Sequence, residues 1–165
     1  MIHHPPIIGV IGAGECNRGL FELAVELGQE IARRGSLLVC GGLGGVMEAA
    51  AKGAAMEGGL TVGILPGPST LAANAYITIP VATDMGQARN VIIVHTADAL
   101  VAVSGGAGTL SEIGHALKTG KPVVGLHTIP NLEGVHYVHT PSEAIHHAFR
   151  LIGSSRRGSD SLYTE

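Results

Sequence analysis

Residues 98–120 read DALVAVSGGAGTLSEIGHALKTG. Ala99 to Val103 is an unbroken apolar run of strand length, Gly105, Gly106 and Gly108 make a tight loop, and Thr109 to Gly120 reads as a helix. A strand that is apolar at consecutive positions is covered on both faces, as strands of a parallel sheet flanked by helices are. The stretch VCGGLGGVME at 39–48 repeats the layout: an apolar strand, Gly-Gly-x-Gly, then a helix with a glutamate in its first turns.

The alternation extends in both directions. PIIGVIGAG is a strand, and GLFELAVELGQEIARRG has helical spacing through Leu20, Leu23, Leu27 and Ile31, closed by Gly35. SLLVCGG is the next strand, GVMEAAAKGAAMEGG an alanine-rich helix, LTVGILPGP a strand and YITIPVAT a short one. GQARNVIIVHTA predicts a helix, KPVVGLH a strand, HYVHT a short strand and PSEAIHHAFRLIG the last long helix. The fold class is α/β, a Rossmann-like doubly wound parallel sheet with helices on both faces, in a single domain. That domain covers residues 1–153, and 154–165 form a polar C-terminal tail.

The two Gly-Gly-x-Gly loops leave the carboxyl ends of parallel strands, so two helix N-termini converge on one crevice. Glycine backbone approaches a ligand closely, and its N–H groups with the helix dipole suit an anion, phosphate above all. The expected binding residues are Gly12 and Gly14 after the first strand, Gly41, Gly42, Gly44 and Gly45 after the second, and Gly105, Gly106, Gly108 and Thr109 in the opening stretch. Tight strand-to-helix turns use glycine in any case, and the convergence is what favours a binding site.

Glu112 closes a Thr-x-x-Glu pattern that fits a capping box, with Thr109 as N-cap, and Thr140-Pro141-Ser142-Glu143 fits the same pattern with no glycine loop beside it. Beside a phosphate loop Glu112 could instead act as acid, base or ribose ligand. Arg89 opens the apolar helix of Val91, Ile92, Ile93 and Val94, either solvated at its end or turned to the site. Apolar on every side, that helix is the expected dimer interface. Gly67, Ser69, Thr70 and Asn74 lie in a loop that either selects the ligand or is surface loop only.

Several classes are excluded. Gly12, Gly14 and Gly19 miss the dinucleotide spacing by a gap that is too long, and the second strand ends in Cys40-Gly41-Gly42 with no acidic residue for a ribose, so no NAD is expected. A net charge of −3 and only two adjacent arginine pairs, Arg33-Arg34 and Arg156-Arg157, argue against nucleic acid. No apolar run nears the length of about 18 residues that a membrane span needs, and MIHHPPIIGVIGAG turns at once into a strand, unlike a signal peptide. Two cysteines, Cys16 and Cys40, point to reduced thiols and a cytoplasmic protein. Nine histidines form no metal-binding motif, Glu112-x-x-His115 being a single half-pattern, so no protein-bound metal is expected; His136, His139, His146 and His147 read as surface residues. Charged residues are 14%, against roughly 25% in soluble domains, which predicts a homo-oligomer, a dimeric unit or a tetramer.

From Gly9 to about Leu126 the chain resembles the Lonely Guy family, the lysine-decarboxylase-like Rossmann proteins of the SLOG superfamily. Their hallmark P-G-G-x-G-T-x-x-E is matched by SGGAGTLSE except at Ser104, and G-G-x-x-G-x-M is matched by Gly41 to Met47. Of M-H-x-R-K only Met85 and Arg89 are present, with Gly86 for the histidine and Asn90 for the lysine. The resemblance implies a glycosidic cleavage releasing a base from a nucleoside 5'-monophosphate, with Arg89 and Glu112 catalytic. The chain is more similar to a branch of that superfamily, the molybdenum cofactor carrier proteins, through PIIGVIGAG, GGLGGVMEAAAKGA, VGILPGPST, IPVAT, ARN and GTLSEIGHALKTGKPVV. This likeness implies binding, protection and carriage of the molybdenum cofactor, a phosphorylated pterin dithiolene, with its phosphate in the glycine loops and Arg89 and Glu112 as contacts without turnover.

Overall fold

The structure is a computed structural model that describes residues 4–160. Among these residues seven strands form one sheet: β1 (Ile7–Gly12), β2 (Leu37–Cys40), β3 (Thr61–Leu65), β4 (Ile79–Ala82), β5 (Ala99–Val103), β6 (Val123–Leu126) and β7 (Val135–Val138). Every pairing is parallel, in the order β4-β3-β2-β1-β5-β6-β7. The winding runs outward from β1 to β4, then returns to β5 on the other side of β1, so the order reverses at β1.

Among the described residues five α-helices cover the faces: α1 (Arg18–Arg33), α2 (Val46–Met56), α3 (Asn90–Thr96), α4 (Ala107–Lys118) and α5 (Pro141–Asp160). Successive strand side chains point to opposite faces, and the apolar runs feed two cores. Ile8, Val10, Leu38, Cys40, Val101 and Val103 pack under α1, α2 and α5, against Leu27, Ile31, Ala50 and Ile145. Ile11, Val39, Leu100 and Ala102 pack under α3 and α4, against Ile93, Val94, Ile113 and Ala116. Burying each large aliphatic side chain contributes about 1.5–3 kcal/mol. The layers are therefore held by the alternation read from sequence, and the chain is a Rossmann-like doubly wound α/β domain.

Two expectations change. Gly86–Arg89 is a 3-10 turn and the α-helix starts only at Asn90; Ile93 and Val94 alone are buried in it, while Val91 is 41% exposed, so one side of α3 faces the sheet and the other lies open. The polar stretch set apart from residue 154 continues α5 through Asp160, and 161–165 lie outside the described residues.

Candidate functional site

The register sets Gly12 level with Val103, and the loops after β1, β2 and β5 leave the sheet at the same end. Between them lies a crevice of about 280 Å³ at the point where the strand order reverses, the usual ligand position in such sheets. Gly12, Ala13 and Gly14 line it from β1, Gly41, Leu43 and Met47 from β2 and α2, Gln87, Arg89 and Asn90 from the start of α3, and Gly106, Gly108, Thr109 and Glu112 from α4.

The expected glycines divide into two groups. Positions 14, 106 and 108 have open space where a Cβ would project. Gly42, Gly44, Gly45 and Gly105 are not among the residues lining the crevice; Gly44 and Gly45 let the β2 loop close on Ala13 and Gly14, and Gly42 packs on β3. Gly45, at φ 65°, leaves no room for a Cβ against the Ala13 carbonyl, and Gly105, at φ 109°, packs against the Thr109 side chain. Gly41 serves Arg89: a Cβ there would lie 2.7 Å from the guanidinium Nη2 and 2.6 Å from the Met47 sulfur.

Arg89 is not solvated at a helix end. It is 5% exposed, and its Nε donates to the Ile64 carbonyl at 2.8 Å. Burial holds its pKa below the usual arginine value, while Glu112 and the Cys40 thiol act in the opposite sense. Cys40 is a free, fully buried thiol pushed up to about 11 by the same desolvation.

The capping-box reading of Glu112 is overturned. Helix α4 begins at Ala107 with Gly106 as N-cap and no side-chain cap, so Thr109 lies inside the first turn and Glu112 well within the helix. Its side chain is 8% exposed, burial pushes its pKa up to about 7, and the charge of Arg89 pulls it down less strongly. Among the described residues Glu112 belongs to none of the ion pairs, which join Arg18 to Glu22 and Arg33 to Glu30 and Glu57. Among the described residues Arg89 and Glu112 are the two ionisable side chains lining the crevice.

Ser104 occupies the position of the Lonely Guy proline with φ 54°. Proline is fixed near −65° and has no N–H, whereas Ser104 donates its N–H to the His127 carbonyl at 3.0 Å. The loop is thus built on a backbone that proline cannot adopt.

Asn74 braces the β2 loop, its Nδ2 donating to Leu43 O at 2.8 Å, while Ser69 caps a 3-10 turn at Thr70–Ala72; this loop positions the site rather than lining it. His115 turns away from Glu112 to meet His95 of α3, Nε2 to Nε2 at 3.3 Å. Among the described residues no group of three or more His, Cys, Asp or Glu is placed to hold a metal ion. Gln87, Asn90, Leu43 and Met47 also line the crevice, beyond the residues expected there from sequence. Their signal was adjacency: each lies within two or three residues of a glycine or arginine that was singled out.

Fold and crevice together define a Rossmann-like protein with a crevice at the topological switch point. The chain belongs to the SLOG cluster4 family, whose sequence profile matches residues 5–149. An uncharacterized protein of Archaeoglobus fulgidus is 54% identical over 140 residues, 85% of this chain and 92% of the relative. Among solved structures, the molybdenum cofactor binding protein of Rippkaea orientalis aligns with a TM-score of 0.86 at 38% identity, covering 90% of this chain and 98% of that one. The molybdenum cofactor carrier protein of Chlamydomonas reinhardtii aligns with a TM-score of 0.84 at 39% identity, covering 91% and 99%.

Proposed function

We propose that this protein binds the molybdenum cofactor through its phosphate and carries it without chemical turnover. The observation that supports this most is the crevice itself: Gly14, Gly106 and Gly108 present open backbone where the α4 N-terminus meets Arg89, and the chain aligns over nine-tenths of its length with cofactor-binding and carrier proteins. Backbone N–H groups at a helix start and one guanidinium complement a phosphate. Arg89, already anchored by Nε, fixes the ligand's position, and Leu43, Met47 and Val10 supply apolar wall beside it. The cofactor brings its own molybdenum, so the protein contributes binding and exclusion of solvent. The wider assignment, a cytoplasmic homo-oligomer, is part of the same proposal. It is supported by the exposed Val91 of α3 and Leu110 of α4, and no helix among the described residues is long and apolar enough to cross a membrane.

The test is retention. Cofactor released from a molybdoenzyme under anaerobic conditions is mixed with the purified chain, passed through a desalting column and measured as molybdenum in the protein fraction. Gly108→Leu is the control, because a side chain at 108 meets open space and fills the crevice while the fold persists. Roughly stoichiometric molybdenum on the parent and at least a tenfold loss in the variant are the expected result; no molybdenum on the folded parent overturns the proposal.

One observation favours a second reading. A buried carboxyl with a pKa of about 7 facing an arginine is suited to acid–base work near neutral pH, as in glycosidic cleavage of a nucleoside 5'-monophosphate. Glu112 would then stabilise oxocarbenium character or engage the attacking water while the loops hold the phosphate. Free base appearing with the parent, and absent with Glu112→Ala, would replace carriage with hydrolysis.

A further inference from the structure

Glu112 poses a problem that the binding reading does not solve. A carboxylate in the wall of an anion crevice repels the ligand that the surrounding N–H groups and Arg89 attract. Its position is fixed: α4 carries it into the crevice, buried, below Gly106 and Gly108.

Nothing at the site neutralises it by contact. Among the described residues it forms no ion pair; Arg89, anchored through Nε to Ile64 on β3, acts on it by charge without such a contact, and less strongly than burial does. The other titratable groups around the site face elsewhere. Cys40 on β2 is a buried thiol that acts on Arg89. On α2, Glu48 lies beyond Gly44 and does not line the crevice. His115, one turn along α4, is engaged with His95 of α3.

We propose that Glu112 is the neutral acid in the loaded protein, donating its O–H to an oxygen of the bound phosphate, so that loading takes up one proton from solution. This rests on the reading of the crevice as a phosphomonoester site. The step is a simple addition: a proton from water joins a carboxylate oxygen of Glu112, and the anion then accepts a hydrogen bond where it would have met a charge. The raised pKa of the unliganded side chain, about 7, puts the proton within reach near neutral pH. Ligand retention is then set by pH: loading is favoured in mildly acidic solution, and alkalinity releases the ligand.

The experiment reads the dissociation constant between pH 7.5 and 9. A phosphomonoester, with its second pKa near 6, is already a dianion there, so any slope belongs to the protein. Released molybdenum cofactor and ribose 5-phosphate are the two probes; the second has no base to lose. With the parent chain, Kd rises about tenfold per pH unit, the slope of one linked proton. In Glu112→Gln, which keeps shape and a hydrogen-bond donor, Kd varies less than about twofold over the range, a flat profile by the same linkage. Thermal melting of both proteins across the range separates ligand release from unfolding.

A flat Kd for either bound probe in the parent overturns the inference and makes Glu112 an ionised acceptor for a ligand N–H or O–H. A slope that persists in the variant also overturns it. If ribose 5-phosphate binds with the expected slope while the cofactor fails to bind at any pH, the proton linkage stands and only the cofactor assignment falls. If neither probe binds, both fall.

Discussion

Thr109-Leu110-Ser111-Glu112 and Thr140-Pro141-Ser142-Glu143 are the same pattern placed at two different ends of the fold. At α5 the pattern is a complete capping box. The Thr140 Oγ1 accepts from the Glu143 N–H at 3.2 Å, and Glu143 Oε2 accepts from the backbone N–H groups of His139 at 2.9 Å and Thr140 at 3.3 Å. Those hydrogen bonds favour the charged form and hold the Glu143 carboxyl below its usual range. At α4 the helix has already begun at Ala107, Thr109 is buried against Gly105, and Glu112 points into a desolvated crevice that drives its pKa the other way. One motif therefore gives a surface cap and a buried acid. What separates them is where the backbone turns into helix: a glycine loop can enter helix early, whereas Pro141 at the first helical position fixes the start of α5.

The contrast is tested most severely by proline. Ser104→Pro removes the N–H bond to His127 and demands a φ that the loop does not have, and it costs about 3 kcal/mol or more in urea unfolding. Pro141→Ala at the α5 start costs about 1 kcal/mol. Equal effects would mean that the two helix starts are alike after all.

Glu112→Gln comes next. A carboxyl raised from 4.5 to about 7 in the folded chain holds its proton across that window while the unfolded chain gives it up. The contribution of Glu112 to stability therefore falls as pH rises from 4.5 to 7, then levels off. At pH 8 the variant is more stable than the parent, by on the order of 3 kcal/mol, and the gain vanishes below the unfolded pKa. Thermal or urea unfolding along the pH series checks this; a gain independent of pH would show that Glu112 carries no desolvation penalty.

Thr140→Ala removes a cap hydrogen bond and lowers stability by about 1 kcal/mol, again by urea unfolding. The smallest effect is that of Glu143→Gln. The lowered pKa of Glu143 means that its contribution is present above the unfolded value and is lost as pH falls through the folded one. The parent should lose stability faster than the variant on acidification below the usual carboxylate range, and parallel acid profiles would remove the cap from the account.

Much of this was legible in the chain. The continuous apolar runs of β1, β2 and β5 require two covered faces, and the Gly-Gly-x-Gly loops converge as their repeated layout implies. Arg89 was legible as a residue of interest but not as a buried one, because its anchor, the Ile64 carbonyl, lies on another strand. Asn74 was legible only as a loop residue, since its work is to hold carbonyls 31 and 32 positions earlier. At Gly42, Gly44, Gly45 and Gly105 a Cβ would meet neighbouring backbone or side chains, a constraint that for all but Gly105 comes from other parts of the chain and not from the motif itself.

Sequence by itself determined the parallel α/β architecture and the family likeness, because apolar periodicity and glycine spacing are local properties of a chain; Arg89 and Glu112 were paired as site residues only through that likeness. Only the tertiary structure decided which glycines face open space, that Ser104 occupies a backbone region closed to proline, and that of two identical Thr-x-x-Glu motifs one is a cap and the other an acid. Burial and electrostatic environment are set by elements distant in sequence, and the charge state of a carboxyl follows from them.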